Sequence, residues 1–224
     1  MKKEKIFLDV SILLNVIIVL MTILASIIMF TGINIMNNKE IILESTSLGM
    51  FKFFTVQSNL LMGIVSLIYI IKQINLLNKK IVKLPSWCSI LKLTSTTAVT
   101  LTFVVVFLYL APLTGKGVKP LLMNSNLFFH LLIPILSIIT FIFFERNKDI
   151  KFKDNLISII PVALYELFYL INALIHMENH RISPKYDWYY FVQTDIKNIY
   201  IVIPTMLIIT YIISVILWYI NKKR

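Results

Sequence analysis

Phe7 to Phe30 reads FLDVSILLNVIIVLMTILASIIMF, a run of 24 residues in which Asp9 is the single ionisable side chain. Hydrocarbon about 30 Å thick is crossed by roughly 20 apolar residues of α-helix, and a lone segment inside it satisfies its backbone N–H and C=O groups only as a helix. Lys2, Lys3 and Lys5 precede the run as they would in a secretory signal. The run is far longer than the about 7 to 15 apolar residues of such a signal, however, and no A-x-A cleavage site follows, so a retained membrane helix is expected.

Five further segments meet the same test: Met50 to Ile71, Cys88 to Ala111, Leu127 to Phe144, Leu156 to His176 and Ile199 to Ile220. The expected fold is all-α: one polytopic domain over residues 1–224, with six transmembrane helices joined by polar connections. Whole-chain composition agrees, at 58% hydrophobic against 15% charged residues over 224 positions, with a mean hydropathy of +0.83. That balance excludes a soluble domain of this length. No internal repeat or low-complexity linker is visible. The abundance of Ile, Lys and Asn suits an AT-rich, bacterial genome and a plasma-membrane location.

Orientation follows from the basic residues at the helix ends. The two termini and the second and fourth connections carry 15 of the 22 Lys and Arg residues, among them Lys72, Lys92, Arg146 and Lys222. By the positive-inside rule both termini are expected in the cytoplasm. The net charge of +11 is then explained by basic loops at an anionic leaflet, with no nucleic acid needed as a partner. Cys88, the single cysteine, permits no intrachain disulfide and suggests no thiolate metal cluster. No cofactor is called for.

Polar side chains inside a membrane are costly, so their placement points to function. Thr55 lies near the outer end of the second helix, with Ser58 at i+3 and Asn59 at i+4. His130 lies near the outer end of the fourth, with Asn126 at i−4. The second and fourth helices run in the same direction, so the two stripes are expected at one shallow depth. A third stripe on the fifth helix, Tyr165, Tyr169, Asn172 and His176, climbs towards that level, and Tyr109 ends the third helix there. Pro134 should leave the carbonyl four residues earlier, that of His130, without its donor; Pro161 and Pro204 are read as breaking the fifth and sixth helices. Glu166, deep in the fifth helix, is expected to find a partner in His130 or a tyrosine, or else to be neutral at pH 7 through desolvation. Asp9, Asn15 and the run Thr94 to Thr97 read as packing or snorkelling. The outer loop aromatics Tyr186, Trp188, Tyr189, Tyr190 and Phe191 read as an interfacial belt, with a lid over the site as the sharper alternative.

The stretches Phe51-Lys-Phe-Phe-Thr55-Val-Gln57-Ser58-Asn59 and Asn126-Leu-Phe-Phe-His130-Leu-Leu-Ile-Pro134 resemble the androgen-induced and androgen-dependent family of six-helix membrane proteins, and a bacterial branch with the same Phe-Thr-x-Gln-Ser-Asn motif. The likeness in helix count covers nearly the whole chain; its specific part is these two motifs. In the animal members a threonine nucleophile and a histidine base hydrolyse fatty acid esters of hydroxy fatty acids, which implies those roles for Thr55 and His130. The chain departs from the family pattern at Ser58, where the family has an acidic residue, and at Pro134, one residue nearer the histidine.

A threonine hydroxyl needs a base within reach, and a neutral imidazole suits the task. Asn126, Glu166 or Tyr165 are candidates to orient the ring, and Asn59 or Gln57 to donate to an oxyanion. The expected function is an intramembrane Thr/His hydrolase of lipid-like esters at the outer boundary, with membrane lipids as neighbours and a lipid-like ester as substrate. Two alternatives stand beside it: a non-enzymatic binder or transporter of an amphipathic molecule, and a metal-dependent lipid hydrolase using His130, His176 and His180, the last two at i,i+4 spacing around Glu178.

Overall fold

The computed structural model describes residues 2–37, 41–147, 149–178, 181–183, 185–192 and 195–223. Lys39 and Lys148, two of the topogenic charges, and His180 of the metal alternative lie outside them. Six helices long and apolar enough to cross a membrane are present: α1 (Glu4–Thr31), α2 (Phe54–Leu77), α3 (Ser86–Thr114), α4 (Ser125–Phe143), α5 (Phe152–Ile175) and α6 (Ile196–Lys223). The all-α polytopic expectation is met. The only strands among the described residues, β1 (Met177–Glu178) and β2 (Arg181–Ile182), pair as a small antiparallel hairpin after α5.

Helix α3 is the axis of the bundle. It packs against α2, α4, α5 and α6, and half of its most apolar window is buried, against 28% for α6. Its sequence explains the position: Ser89, Thr94, Ser95, Thr96, Thr97 and Thr102 are all buried, and small hydroxyl-bearing residues let membrane helices approach closely. The Thr94 to Thr97 run is therefore packing rather than snorkelling. Peripheral helices instead present large aliphatic side chains outward, such as Leu20, Leu164 and Ile201, as a lipid-facing surface requires. Where α1 meets α2, a Cβ on Gly63 would come within 2.9 Å of the Thr22 methyl, so the missing side chain sets that approach.

Several boundaries differ from those expected. Helix α2 begins at Phe54 rather than Met50, because Ser47–Lys52 forms a 3-10 turn and Phe53 is extended, at φ −86° and ψ 129°. Thr55 thus sits in the first turn of α2. Pro161 does not break α5; it stands where an opening 3-10 segment, Phe152–Ile159, passes into the α-helix Ile160–Ile175. A proline near the start of a helix removes an N–H that has no partner anyway. Pro204 does lie inside α6.

Two π-helical turns interrupt the bundle near the end opposite the termini, Val106–Leu110 in α3 and Phe128–Leu132 in α4. Each is followed two residues later by a proline, Pro112 and Pro134. In α4 the Ile133 N–H reaches back five residues to the Phe128 carbonyl. Continuing that register would need an N–H from Pro134, which has none. The carbonyl it would have served is that of Phe129, not His130 as expected.

Candidate functional site

Asn59 resolves the missing bond. Its Nδ2 donates to the Phe129 carbonyl at 3.1 Å and to the Thr55 carbonyl at 2.7 Å, tying the first turn of α2 to the π-turn that carries His130. The two motif-bearing helices are therefore joined at the backbone beside both predicted residues. His130 is fully buried. Its Nδ1 lies 2.5 Å from the Leu121 carbonyl; a carbonyl only accepts, so Nδ1 carries the proton and Nε2 holds the lone pair. Nε2 has no hydrogen-bond partner among the described residues. A backbone carbonyl thus orients the imidazole, in place of the expected Asn126, Glu166 or Tyr165.

Thr55 opens elsewhere. It lines a cavity of about 40 Å³ together with Thr102, Tyr165, Glu166 and Tyr189, closed by Phe54, Val106, Phe191 and other apolar side chains. His130 is not among the lining residues. The Tyr189 hydroxyl accepts from the N–H of Thr55, at 3.5 Å. The first N–H groups of a helix lack intrahelical partners, and a loop tyrosine here supplies the acceptor that a Ser or Asp cap usually provides. Burial raises the Tyr189 phenol above its ordinary pKa, so it remains a neutral O–H donor beside Thr55.

The remaining candidates divide. Ser58 Oγ donates to the Thr55 carbonyl at 3.1 Å and lies 3.2 Å from Thr102 Oγ1, bracing α2 on α3. Both N–H bonds of Asn59 are taken by carbonyls, and Gln57 Nε2 donates to Phe51 O at 2.7 Å. Asn59 therefore has no N–H to spare, whereas Gln57 keeps a second one, and the Tyr189 hydroxyl stands at the N-terminus of α2 beside Thr55. Asn126 makes no hydrogen bond to the His130 ring among the described residues. Its Nδ2 donates to Ile42 O at 2.8 Å. Glu166 reaches neither His130 nor a tyrosine, and both carboxyl oxygens lack a hydrogen-bond partner among the described residues.

The stripe on α5 serves mainly to hold the outer loop. Tyr169 donates to Asp187, Asn172 Nδ2 donates to Tyr186 O at 2.8 Å, and His176 stacks on Tyr186 with ring centroids 3.6 Å apart. Tyr109 donates to Tyr190 O at 3.2 Å. Tyr165 is the exception: it donates to Lys52 O and accepts from Trp188 Nε1, beside Thr55. Trp188, Tyr189 and Phe191 are all buried, leaving Tyr190 half exposed, so the loop folds over the bundle instead of forming a belt. At its edge the Lys52 ammonium stands 5.0 Å from the Phe53 ring centre and 5.7 Å from that of Trp188. Burial, and then the charge of Lys185, hold its pKa below the usual lysine value.

A second space of about 220 Å³ lies between α2 and α5, lined by Gln57, Ser58, Leu61, Pro161, Leu164 and Phe168. Phe54 and Tyr165 line it too, and line the Thr55 cavity on their other side. Their rings, with centroids 5.1 Å apart, form the wall between a membrane-facing groove and the Thr55 hydroxyl.

The metal alternative loses its premise. Helix α5 ends at Ile175, and Met177–Glu178 continues as a strand, so the helix does not run on past His176; His180 lies outside the described residues. Among the described residues no group of three or more His, Cys, Asp and Glu side chains could hold a metal ion. Cys88 is a buried free thiol. Compared with protein-family models, with curated proteins and with solved structures, the chain matches none.

Proposed function

We propose that the chain is an intramembrane hydrolase of lipid-like esters in a bacterial plasma membrane, with its termini in the cytoplasm, Thr55 as nucleophile and His130 as general base. The observation that carries this reading is the state of His130. A fully buried imidazole whose Nδ1–H is held by a carbonyl, and whose Nε2 has no partner, is a base kept ready. Asn59 fixes it to the turn that presents Thr55.

Thr55 Oγ1 attacks the ester carbonyl carbon while Nε2 takes the hydroxyl proton, directly or through one water. The carbonyl oxygen becomes an oxyanion near the Tyr189 hydroxyl and the N-terminus of α2. Collapse breaks the bond to the alcohol, which leaves with the proton from Nε2, and the acyl group stays on Thr55. Water activated by the same nitrogen then releases the acid. A cavity of about 40 Å³ holds little more than one water, so the acyl chain enters from the groove between α2 and α5 as the Phe54–Tyr165 wall opens.

Protein in detergent treated with a fluorophosphonate is expected to carry the adduct on Thr55. Turnover of a fatty acid ester of a hydroxy fatty acid should be lost in Thr55→Ala and largely kept in Thr55→Ser. An unlabelled Thr55 together with unchanged turnover in Thr55→Ala would overturn the reading. One observation favours a second reading, a non-enzymatic binder of an amphipathic molecule: His130 is not among the residues lining the cavity beside Thr55. In that case no variant has turnover to lose, and Thr55→Ala weakens ligand binding alone.

A further inference from the structure

At the termini-bearing end of the bundle a space of about 890 Å³ opens between α1, α2 and the end of α4. Its composition is layered. Tyr69, Gln73 and Glu145 line it and are almost wholly buried; Leu76, Ile142, Phe143 and Phe144 form apolar walls; Lys5 and Arg146 stand exposed on the lining with one acid, Glu4.

The buried members belong to a polar network through the bundle. Lys92 on α3 is fully buried, with Nζ 3.6 Å from Glu145 Oε1, 2.5 Å from Asn15 Oδ1 and 3.0 Å from Ser66 Oγ. Asn15 Nδ2 and Ser11 Oγ both donate to the same Glu145 oxygen, and Gln73 Nε2 donates to Ser11 Oγ. Among the described residues two atoms of the network are left without partners, Glu145 Oε2 and Gln73 Oε1. Both are acceptors, and both residues line the cavity. Buried acceptors are left unpaired at a cost unless something donates to them.

We propose that this space binds the headgroup of an amine-bearing phospholipid from the leaflet on the termini side. Its primary ammonium donates to Glu145 Oε2 and Gln73 Oε1, and its phosphate lies between Lys5 and Arg146. A zwitterion fits the layering because its ammonium meets the spare acceptors of the floor while its negative end meets the basic lining. The apolar walls receive the start of an acyl chain. A phosphatidylglycerol headgroup would bring only neutral hydroxyl donors to the floor, and a trimethylated headgroup has no N–H to give.

The test uses the full chain in detergent with short-chain dihexanoyl lipids, read by native mass spectrometry and by thermal shift. Dihexanoyl phosphatidylethanolamine is expected to bind at least about tenfold more tightly than the phosphatidylcholine or phosphatidylglycerol equivalents, the scale of a charge-assisted hydrogen bond. Gln73→Leu should reduce that preference about tenfold, and Lys5→Ala with Arg146→Ala should weaken phosphatidylethanolamine most. Equal binding of phosphatidylcholine would overturn the proposal. So would equal binding of free phosphoethanolamine, which would make the ligand a soluble amine rather than a lipid. The comparison of ligands on the unaltered chain decides the matter even where a variant does not fold, and it is independent of any activity at Thr55.

Discussion

The bundle holds two buried polar regions, one on each side of its middle, and they are finished differently. Around Lys92 and Glu145, side chains from α1, α2 and α3 converge, and one carboxylate oxygen alone engages Lys92, Asn15 and Ser11. Asn221 extends the grip to α6 by donating to the carbonyls of Phe141 and Glu145. Around Thr55 and His130 the side-chain donors are committed to backbone carbonyls, while His130 Nε2, Asn59 Oδ1, Asn126 Oδ1 and both oxygens of Glu166 are left over. A network closed on an ion pair holds helices in register, even with Glu145 Oε2 and Gln73 Oε1 left over at its cavity edge; a spare imidazole lone pair beside a hydroxyl has something to offer a reactant. The first reads as bracing and the second as chemistry, although both are buried and polar to the same degree.

That contrast breaks most visibly by substitution at the base. His130→Gln keeps a donor for the Leu121 carbonyl but removes the Nε2 lone pair. Turnover is expected to fall by about 10²–10⁴-fold, the usual contribution of a general base, with the melting temperature in detergent little changed. An equal loss of stability and activity would make His130 a brace.

Lys92→Met should do the reverse. It strands the Glu145 charge in the interior, which costs about 3–5 kcal/mol, whereas Lys92→Met with Glu145→Leu should recover most of the loss. Unfolding in mixed micelles measures both. Asn59→Leu is intermediate, because it leaves the Phe129 carbonyl unpaired; a loss of about 1–3 kcal/mol is expected, together with reduced turnover as α2 and α4 part. The smallest effect belongs to Glu166→Leu. Its carboxyl has no partner to lose, so stability should be unchanged or raised by about 1 kcal/mol. A drop there would reveal that Glu166 is paired in the membrane.

Helix number and the identity of the outer motifs were legible because apolar length and polar intrusion are properties of single segments. Partnerships were not. Lys92 reads as one more basic residue flanking a loop, and only the approach of α1 and the end of α4 turns it into half of a buried pair with Glu145. Tyr189 reads as one aromatic among five at an interface, since nothing local to residues 186–191 signals that its hydroxyl caps a helix 134 positions away. The start of α2 was misplaced because Met50 and Phe51 are as apolar as the helix itself, while the change from a 3-10 turn to extended Phe53 leaves no mark on hydropathy. Pro134 did announce a lost hydrogen bond. Its true location required knowing that the preceding turn spans five residues.

Those widened turns carry one consequence for descent. A π-turn contains one residue more than the α-helix around it, and each added residue turns whatever follows by about 100°. The turns in α3 and α4 lie on neighbouring helices near the same end, so each helix shifts phase where the outer motifs begin. Trimming one residue from Phe128–Leu132 would restore a regular helix and an unbroken apolar stripe, yet it would swing Ser125 and Asn126 round the axis relative to Pro134. Insertions and deletions should therefore be tolerated in the connections and rejected in these two five-residue stretches, where helix phase rather than side-chain chemistry is what selection would have to preserve.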